Sequence, residues 1–379
     1  MNVRKNKLVS LAALGLVGGL ALTACGGGSD NGGDSTGSGS SDNGGAAAAG
    51  GYAELSGNLA GSGASSQQNA QTAWTESFMG LVQAEGGDLT VTYDPTGSGT
   101  GREQFLNGEV KFAGTDAALD EEELASSTEV CNGEQAFDLP VYISPIAVVF
   151  NLEGVDSLNL SAEVIGGIFA GDITTWNDPK ITELNPDAEL PDTAIVPVHR
   201  SDDSGTTENF TAYLTEAAGD AWKYDEVETW PSEITAESAQ GTRGVVGQAA
   251  QTDGAITYAD ASAVGELGTV AVKVGEEYVP YSSDAAAKTV SASEQNEDGS
   301  IELDRATTEA GVYPIVLVSY HIYCNQYQNQ ETADQVKAFA SYVVSEDGQK
   351  AAEEAAGNAP IGAETRDAAV ERIEAITAG

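Results

Sequence analysis

The sequence predicts an α/β body of two lobes. Short apolar runs alternate with helical patterns along most of its length, the arrangement of buried sheets flanked by helices. Two long apolar runs, over residues 140–150 and 312–323, lie far apart yet resemble each other, and they read as paired crossover strands between the lobes. The first lobe is then discontinuous, with residues 52–143 and 315–379 forming lobe I and residues 144–314 forming lobe II. In order, strands are expected at 89–93, 141–150, 194–198, 255–258 and 313–323, and helices at 70–82, from 209 onward and at 334–344. Ala369, Val370, Ile373 and Ile376 have the spacing of a packed terminal helix. Residues 281–311 are polar and acidic, a surface excursion on this reading.

The N-terminus sets the compartment. Arg4, Lys5 and Lys7 precede an apolar stretch over residues 8–22, the layout of a secretion signal and too short for a membrane span. Leu22-Thr23-Ala24-Cys25 resembles the lipobox of bacterial lipoproteins. That resemblance implies removal of residues 1–24 and a lipid on Cys25; a plain signal peptide with an incidental cysteine is the alternative. Beyond Cys25, residues up to 51 are almost wholly Gly, Ser, Asp, Asn and Ala. Such a segment cannot bury enough apolar surface to offset chain entropy, so 25–51 reads as a flexible tether. The expected location is the extracellular face of the cytoplasmic membrane, with the body lipid-anchored.

Sixteen basic residues stand against 59 acidic ones, a formal net charge of −43. A field of that sign argues against nucleic acid and against attraction to anionic headgroups. It reads as a solvated, self-repelling shell on a monomer, there being no Asp-x-Asp-x-Asp-Gly calcium loop. With Cys25 assigned, Cys131 and Cys324 are an even pair in an oxidising compartment, so a disulfide is expected, with two free buried thiols as the alternative. His199 and His321 have no ligand-type spacing, and neither a metal site nor a cofactor is expected.

Three segments share one chemistry. His199-Arg200-Ser201-Asp202-Asp203-Ser204-Gly205-Thr206 follows an apolar strand and runs into a helix. Free N–H groups of a first helical turn, hydroxyls and a guanidinium fork together suit an oxyanion. The alternative is that Ser204 only caps the helix while Arg200 meets Asp202 or Asp203 at the surface. Gly61-Ser62-Gly63-Ala64-Ser65-Ser66 and Thr96-Gly97-Ser98-Gly99-Thr100-Gly101-Arg102 are likewise Ser/Gly turns that precede helices. One such turn is ordinary; three are an argument. The last is no nucleotide loop, because Gly-Arg-Glu stands where Gly-Lys-Ser/Thr is needed.

Longer motifs then carry a resemblance to a known family. Residues 110–119, Val-Lys-Phe-Ala-Gly-Thr-Asp-Ala-Ala-Leu, are similar to its "DFGASDAPL" segment, and residues 171–186 to its "GKIKTWDDPAI…LNP" segment. Residues 200–206 match "RSDGSGT", with Asp203 in place of the glycine. Across almost all of 54–379 the chain resembles the phosphate-binding lipoprotein of the bacterial high-affinity phosphate ABC importer. The resemblance implies a two-lobe, type II-like periplasmic-binding-protein fold, with two hinge strands and the ligand cleft between the lobes. It implies capture of inorganic phosphate, delivery to the permease subunits of an ABC importer, and no catalysis. It further implies phosphate ligation by Ser65, Ser66, Ser98, Asp116, Arg200, Ser204, Gly205 and Thr206, with Asp202 bracing Arg200. Two departures stand out. Ser65-Ser66 replaces a threonine and a bulky apolar residue, the second of which acts through its backbone N–H, and Gln67-Gln68-Asn69 replaces a proline-containing stretch.

Asp116 explains selectivity on this reading. An ionised carboxylate only accepts, so it pairs with a proton on HPO4 or H2PO4, whereas sulfate presents a second acceptor and is repelled. The alternative for Asp116 is a cap on the helix that Glu121 begins. Trp176 reads as a buried support for a turn, His199 as a strand-end residue with a backbone partner, and Arg243 as a surface or lobe-contact residue. Competing functions are weaker. A binder of sulfate, molybdate or arsenate gives Asp116 no role where the anion lacks a proton. A secreted phosphate-ester hydrolase needs a Gly-x-Ser-x-Gly elbow or clustered metal ligands, and residues 52–379 contain neither.

Overall fold

The computed structural model describes residues 51–295 and 301–379, which fall in one body. The leader, Cys25 and nearly all of the tether lie outside the described residues. Strands β1 (Ser56–Gly63), β2 (Asp88–Asp94) and β3 (Phe112–Thr115) alternate with helices α1 (Gln68–Glu85) and α2 (Ser98–Leu106), and α3 (Glu121–Ser127) leads to a long strand, β4 (Ala136–Phe150). The chain continues through β5 (Ser157–Leu160), α4 (Ala162–Phe169), α5 (Pro179–Thr182), β6 (Val196–Arg200), α6 (Gly205–Ala217) and β7 (Glu237–Ala239). Next come α7 (Gly241–Gln251), β8 (Ala255–Asp260), β9 (Gly268–Val274), β10 (Glu277–Pro280), α8 (Ser283–Ser291) and the short β11 (Glu294–Gln295) and β12 (Ile301–Glu302). Strand β13 (Val316–Cys324) returns to the sheet, and β14 (Gln326–Tyr327), α9 (Gln330–Val344), α10 (Glu346–Ala356), α11 (Ala363–Ala375) and β15 (Thr377–Ala378) complete the chain.

Eleven strands form one sheet, ordered β2-β1-β3-β13-β4-β8-β6-β7, with β9 beside β4 and β5 and β10 beside β9. The pivot is β4. Its residues 136–145 pair antiparallel with β13, and residues 146–150 pair with β8. Every residue of β4 and β13 is buried. A strand covered on both faces reads as an unbroken apolar run, which is why these two were visible in the sequence. The two halves of the sheet are therefore joined through β4.

Helix α1 shows how local sequence feeds the core. Ala70, Trp74, Phe78 and Val82 recur every fourth residue and are buried, Phe78 against Phe339 of α9 at 5.4 Å. Phe78 and Val82 each contribute about 1.5–3 kcal/mol by leaving water, and the Ala70 methyl less. Trp74 Nε1 donates to the Gly348 carbonyl of α10 at 2.8 Å, so its polar atom is satisfied inside. The helix stops at Gly86, which takes φ 97°, and the Gly87 N–H returns to the Val82 carbonyl.

Two expectations need correction. The stretch 96–102 is not a turn ahead of a helix, because α2 already begins at Ser98. Its glycines are dictated by packing, since a Cβ on Gly101 would lie 2.3 Å from the Gly63 Cα. Residues 281–311 are more than a surface excursion. Helix α8 buries Ala285, Ala286 and Thr289, and buried Arg305 donates to the Val316 carbonyl at 3.0 Å and to Asn209 Oδ1. Strand β6 starts at Val196, two residues later than expected. The terminal helix is present, with Ala369 and Ile373 buried.

Cys131 and Cys324 are joined in a disulfide with Cα atoms 5.1 Å apart, tying the loop before β4 to the end of β13. The bridge closes 193 residues of sequence. On the loop-entropy account such a closure stabilises by up to about 5 kcal/mol, although measured values centre on 2–4. Replacing both cysteines by serine is expected to lower the denaturant-unfolding free energy by roughly 2–5 kcal/mol. An unchanged unfolding midpoint would show that the bridge adds nothing.

Candidate functional site

The expected site residues come together at the junction of the two sheet halves, and all are buried. Ser65 and Ser66 follow β1 at the start of α1, Ser98 is the first residue of α2, and Asp116 follows β3. Arg200 ends β6, Ser204 is the N-cap of α6, and Gly205 and Thr206 open that helix. Asp116 is the centre. Its Oδ1 accepts from Ser66 Oγ at 2.7 Å and its Oδ2 from Thr206 Oγ1 at 2.9 Å, while its N–H donates to Ser98 Oγ at 3.2 Å. Gly205 has no side chain because none fits; a Cβ there would lie 2.8 Å from Asp116 Cβ and 2.9 Å from Ser98 Oγ.

A fourth helix start joins these three. Ser65 Oγ lies 3.0 Å from Thr242 Oγ1 and accepts the Thr242 N–H at 3.0 Å, which brings in the first turn of α7. Positive dipole ends of four helices thus meet at this junction, three beside Asp116 and the fourth through Ser65. Arg200 is buried and holds Asp202 through Nε at 2.9 Å and Nη2 at 2.5 Å. That leaves three of its five N–H groups for another acceptor. Ser204 Oγ accepts the Thr207 N–H at 3.2 Å. Both features weighed against an oxyanion site, the Ser204 cap and the Arg200–Asp202 pair, are therefore present, but the pair is buried rather than superficial.

Electrostatics follow from burial. Loss of water pushes the Asp116 carboxyl up, and the hydroxyls of Ser319, Ser66 and Thr206 and the charge of Arg200 only partly oppose it. For Asp202 burial acts the same way, but the hydrogen bonds and charge of Arg200 and the Gly241 N–H outweigh it and hold the carboxyl low. Behind the site, Asp260 accepts from Tyr142 Oη at 3.1 Å, and burial lifts its pKa to about 6. Arg102 crosses the junction, donating to Glu123 Oε1 at 2.8 Å and to both carboxylate oxygens of Glu228 at 2.8 and 2.7 Å. Beside it burial, helped by Glu228 and Glu226, raises Glu208 to about 8.

Several residues fall outside the earlier list. Thr242 had a readable signal, since Gly241-Thr242-Arg243-Gly244 is another small turn opening a helix. Ser319 and His321 are polar residues within a doubly buried strand, a pattern that asks for an internal partner. Arg102 and Glu228 lie 126 residues apart and carry no local signal. The hydroxyl of Ser66 binds Asp116, although only its backbone N–H was expected to act. Asp116 caps no helix; Asp120 does, in a capping box with Glu123. Trp176 is fully buried and donates to the Gly254 carbonyl, His199 Nδ1 lies 2.7 Å from the Arg200 carbonyl oxygen, and exposed Arg243 reaches Asn69 Oδ1 at 2.7 Å. Among the described residues no group of three or more His, Cys, Asp or Glu side chains is placed to hold a metal ion, and no helix is long and apolar enough to cross a membrane.

Comparison with known proteins places this architecture. A family model described as a PBP superfamily domain matches residues 43–347. The phosphate-binding protein PstS 2 of Mycobacterium tuberculosis is 35% identical over 347 residues, covering 89% of each chain. The phosphate-binding protein PstS of Haemophilus influenzae is 30% identical over 309 residues, covering 78% of this chain and 87% of its own. A crystal structure of a phosphate-binding protein from Stenotrophomonas maltophilia superposes with a TM-score of 0.66 at 20% identity, covering 83% of this chain and 94% of that one. The fold is the two-lobed one of that structure.

Glu208 gives this junction a pH signature. Unfolded, its carboxyl titrates near 4.5; folded, near 8. Between those values the folded protein holds a proton that the unfolded chain has released, so stability falls as pH rises through this window. Glu208→Gln keeps the neutral form at every pH. Its melting temperature is expected to decline less between pH 5 and 8.5 and to exceed wild type at pH 8.5 by roughly 2–4 °C, the shift that about 1 kcal/mol gives a large domain. Parallel melting curves across that range would contradict it.

Proposed function

The chain belongs to the PBP superfamily, with phosphate-binding proteins that match it over nearly nine-tenths of its length, and from that premise we propose that it captures inorganic phosphate outside the cell and delivers it to the permease subunits of an ABC importer. The observation that carries this reading is Asp116, a buried carboxylate bonded by hydroxyls beside three helix starts with, among the described residues, no cation directly bonded to it. A site built only to attract anions has no use for such a group. A site that must tell a protonated oxyanion from an unprotonated one does.

The proposed roles are as follows. Ser65, Ser66, Ser98, Ser204, Gly205 and Thr206 donate to phosphate through hydroxyls or backbone N–H groups at the helix starts. Arg200, held in place by Asp202, donates with its remaining N–H groups. Asp116 accepts the ligand's proton; sulfate carries none at neutral pH and meets a second acceptor instead. Lobe I (52–143 and 315–379) and lobe II (144–314) close on the ligand about β4 and β13. The change of partner along β4, from β13 to β8 after residue 145, supports a hinge there. The protein acts as a monomeric binder rather than an enzyme, lipid-anchored through Cys25 at the end of the tether.

Calorimetric titration tests the ligand. Phosphate is expected to bind, arsenate to compete through its similar shape and protonation, and sulfate to fail. Asp116→Asn should narrow the gap between phosphate and sulfate. Arg200→Ala should weaken every anion alike by roughly 10- to 100-fold, since hydrogen bonds to charged groups contribute about 1.5–3 kcal/mol. Sulfate binding as tightly as phosphate in the wild type would sink the role given to Asp116. For the anchor, mass spectrometry of the mature N-terminus should find Cys25 acylated, and Cys25→Ala should release the protein or leave it unprocessed. An unmodified Cys25 peptide from wild type would refute the anchor.

A further inference from the structure

Asp116 is held from behind by a hydrogen-bonded chain that enters the core. Tyr320 of β13 pairs with Thr115 of β3, so Ser319 stands one step beyond, opposite Asp116. The register between β13 and β4 breaks between Ser319 and Tyr320, an irregularity that re-aims the neighbouring side chain. Ser319 is fully buried, its Oγ 2.5 Å from Asp116 Oδ1 and 3.0 Å from the Thr115 carbonyl oxygen. Gln67, also fully buried, brings its Nε2 to 2.6 Å from Ser319 Oγ and 3.1 Å from the Tyr320 carbonyl oxygen. A carbonyl can only accept, so the amide of Gln67 must turn its nitrogen toward β13. Its Oε1 accepts from Gln71 Nε2 at 2.8 Å, which locks the same orientation. With Gln67 donating into Ser319, the single serine proton points onward, and its nearer acceptor is the carboxylate.

We infer that Gln67 and Ser319 are positioning residues that hold Asp116 ionised and aimed, and so set how well the site separates protonated from fully deprotonated tetrahedral oxyanions. The inference rests on the role proposed for Asp116. Burial favours the neutral acid, and a neutral Asp116 would donate to sulfate instead of repelling it. Ser319 leads the groups that resist this, ahead of Ser66, Thr206 and Arg200. Ser66 and Thr206 are themselves assigned to phosphate, so the Ser319 hydroxyl is the one left to Asp116 when ligand binds. The other titratable groups facing it do not help. Asp260 is a like charge when ionised, and the buried Tyr93 hydroxyl is pushed well above its ordinary range by burial and by Asp116 itself. His321, 3.1 Å from Gln67 Oε1 at the far end, is driven by burial to about 3 and brings no charge.

Sulfate is the probe, because it stays a dianion while Asp116 titrates. In wild type, sulfate binding measured by calorimetry is expected to emerge only as pH is lowered. In Ser319→Ala the onset should move up by about one pH unit and the phosphate-to-sulfate affinity ratio at pH 7 should fall roughly tenfold, the scale of one lost hydrogen bond to a charge. Gln67→Met, which removes the donor but leaves the serine, should move both in the same direction by less, and it carries the test if Ser319→Ala does not fold. An unchanged onset and ratio in Ser319→Ala would overturn the inference, as would an equal loss of both anions with no pH shift, the mark of a merely structural role. Asp116→Asn separates the two ideas. If it alters selectivity while Ser319→Ala does not, only the inference fails; if it leaves selectivity intact, the role of Asp116 fails first.

Discussion

A carboxylate kept dry is the constraint around which this molecule is arranged. Asp116 is buried and, among the described residues, no cation is bonded to it; Arg200, whose charge acts on it, is engaged by Asp202. A buried charge must be hydrogen-bonded or it neutralises. Here the partners are hydroxyls from three separate elements, Ser66 before α1, Thr206 in α6 and Ser319 in β13. Hydroxyls are a telling choice. They satisfy the charge without cancelling it, and each can also turn to another oxygen. A lysine in their place would have fixed Asp116 as half of an ion pair and removed it from any work on a ligand.

Those three hydroxyls belong to opposite halves of the sheet, so their meeting depends on the strands that join the halves. Strand β4 changes partners after residue 145 without leaving the core, and β13 runs beside it with every residue buried. A packed, doubly covered strand pair has few conformations open to it. The break in register beside Ser319 lies in this same pair. The strand that carries the bond to Asp116 is therefore paired with the strand that joins the halves.

Much of this was legible in the sequence, and the reasons differ by residue. The long runs of β4 and β13 announced themselves because both faces are buried, and Cys131 and Cys324 because they were the two cysteines left once Cys25 was assigned. Ser98, Ser204 and Thr206 were readable because small residues at helix starts have a local signature. The start of α2 was misplaced because Gly99 and Gly101 look like turn residues, whereas close packing against β1 is what requires Gly101. Arg305 was lost in an acidic stretch whose composition reads as surface, although its guanidinium sits inside against Asn209. Arg102 and Glu228 were invisible for a plainer reason. Their pairing exists only when chain segments 126 residues apart are folded against each other.

The surplus of acid looks at first like an obstacle to holding an anion, yet the distribution of the few cations answers it. Among the described residues the buried basic side chains are Arg102, Arg200 and Arg305, and all three lie at or beside the junction. Exposed carboxylates more than roughly 8 Å away are screened by physiological salt, while charges in the dry interior are not. Local terms therefore dominate. The outer field slows the approach of an anion and loses force as salt rises, whereas hydrogen bonds in the dry interior keep theirs. Arg102 makes the point from the other side. It binds two glutamates, Glu123 and Glu228, from segments on either side of the junction. The acidic residues thus do more than keep the protein in solution. At this point they give a scarce arginine its partners, and through them Arg102 ties segments on the two sides of the junction together.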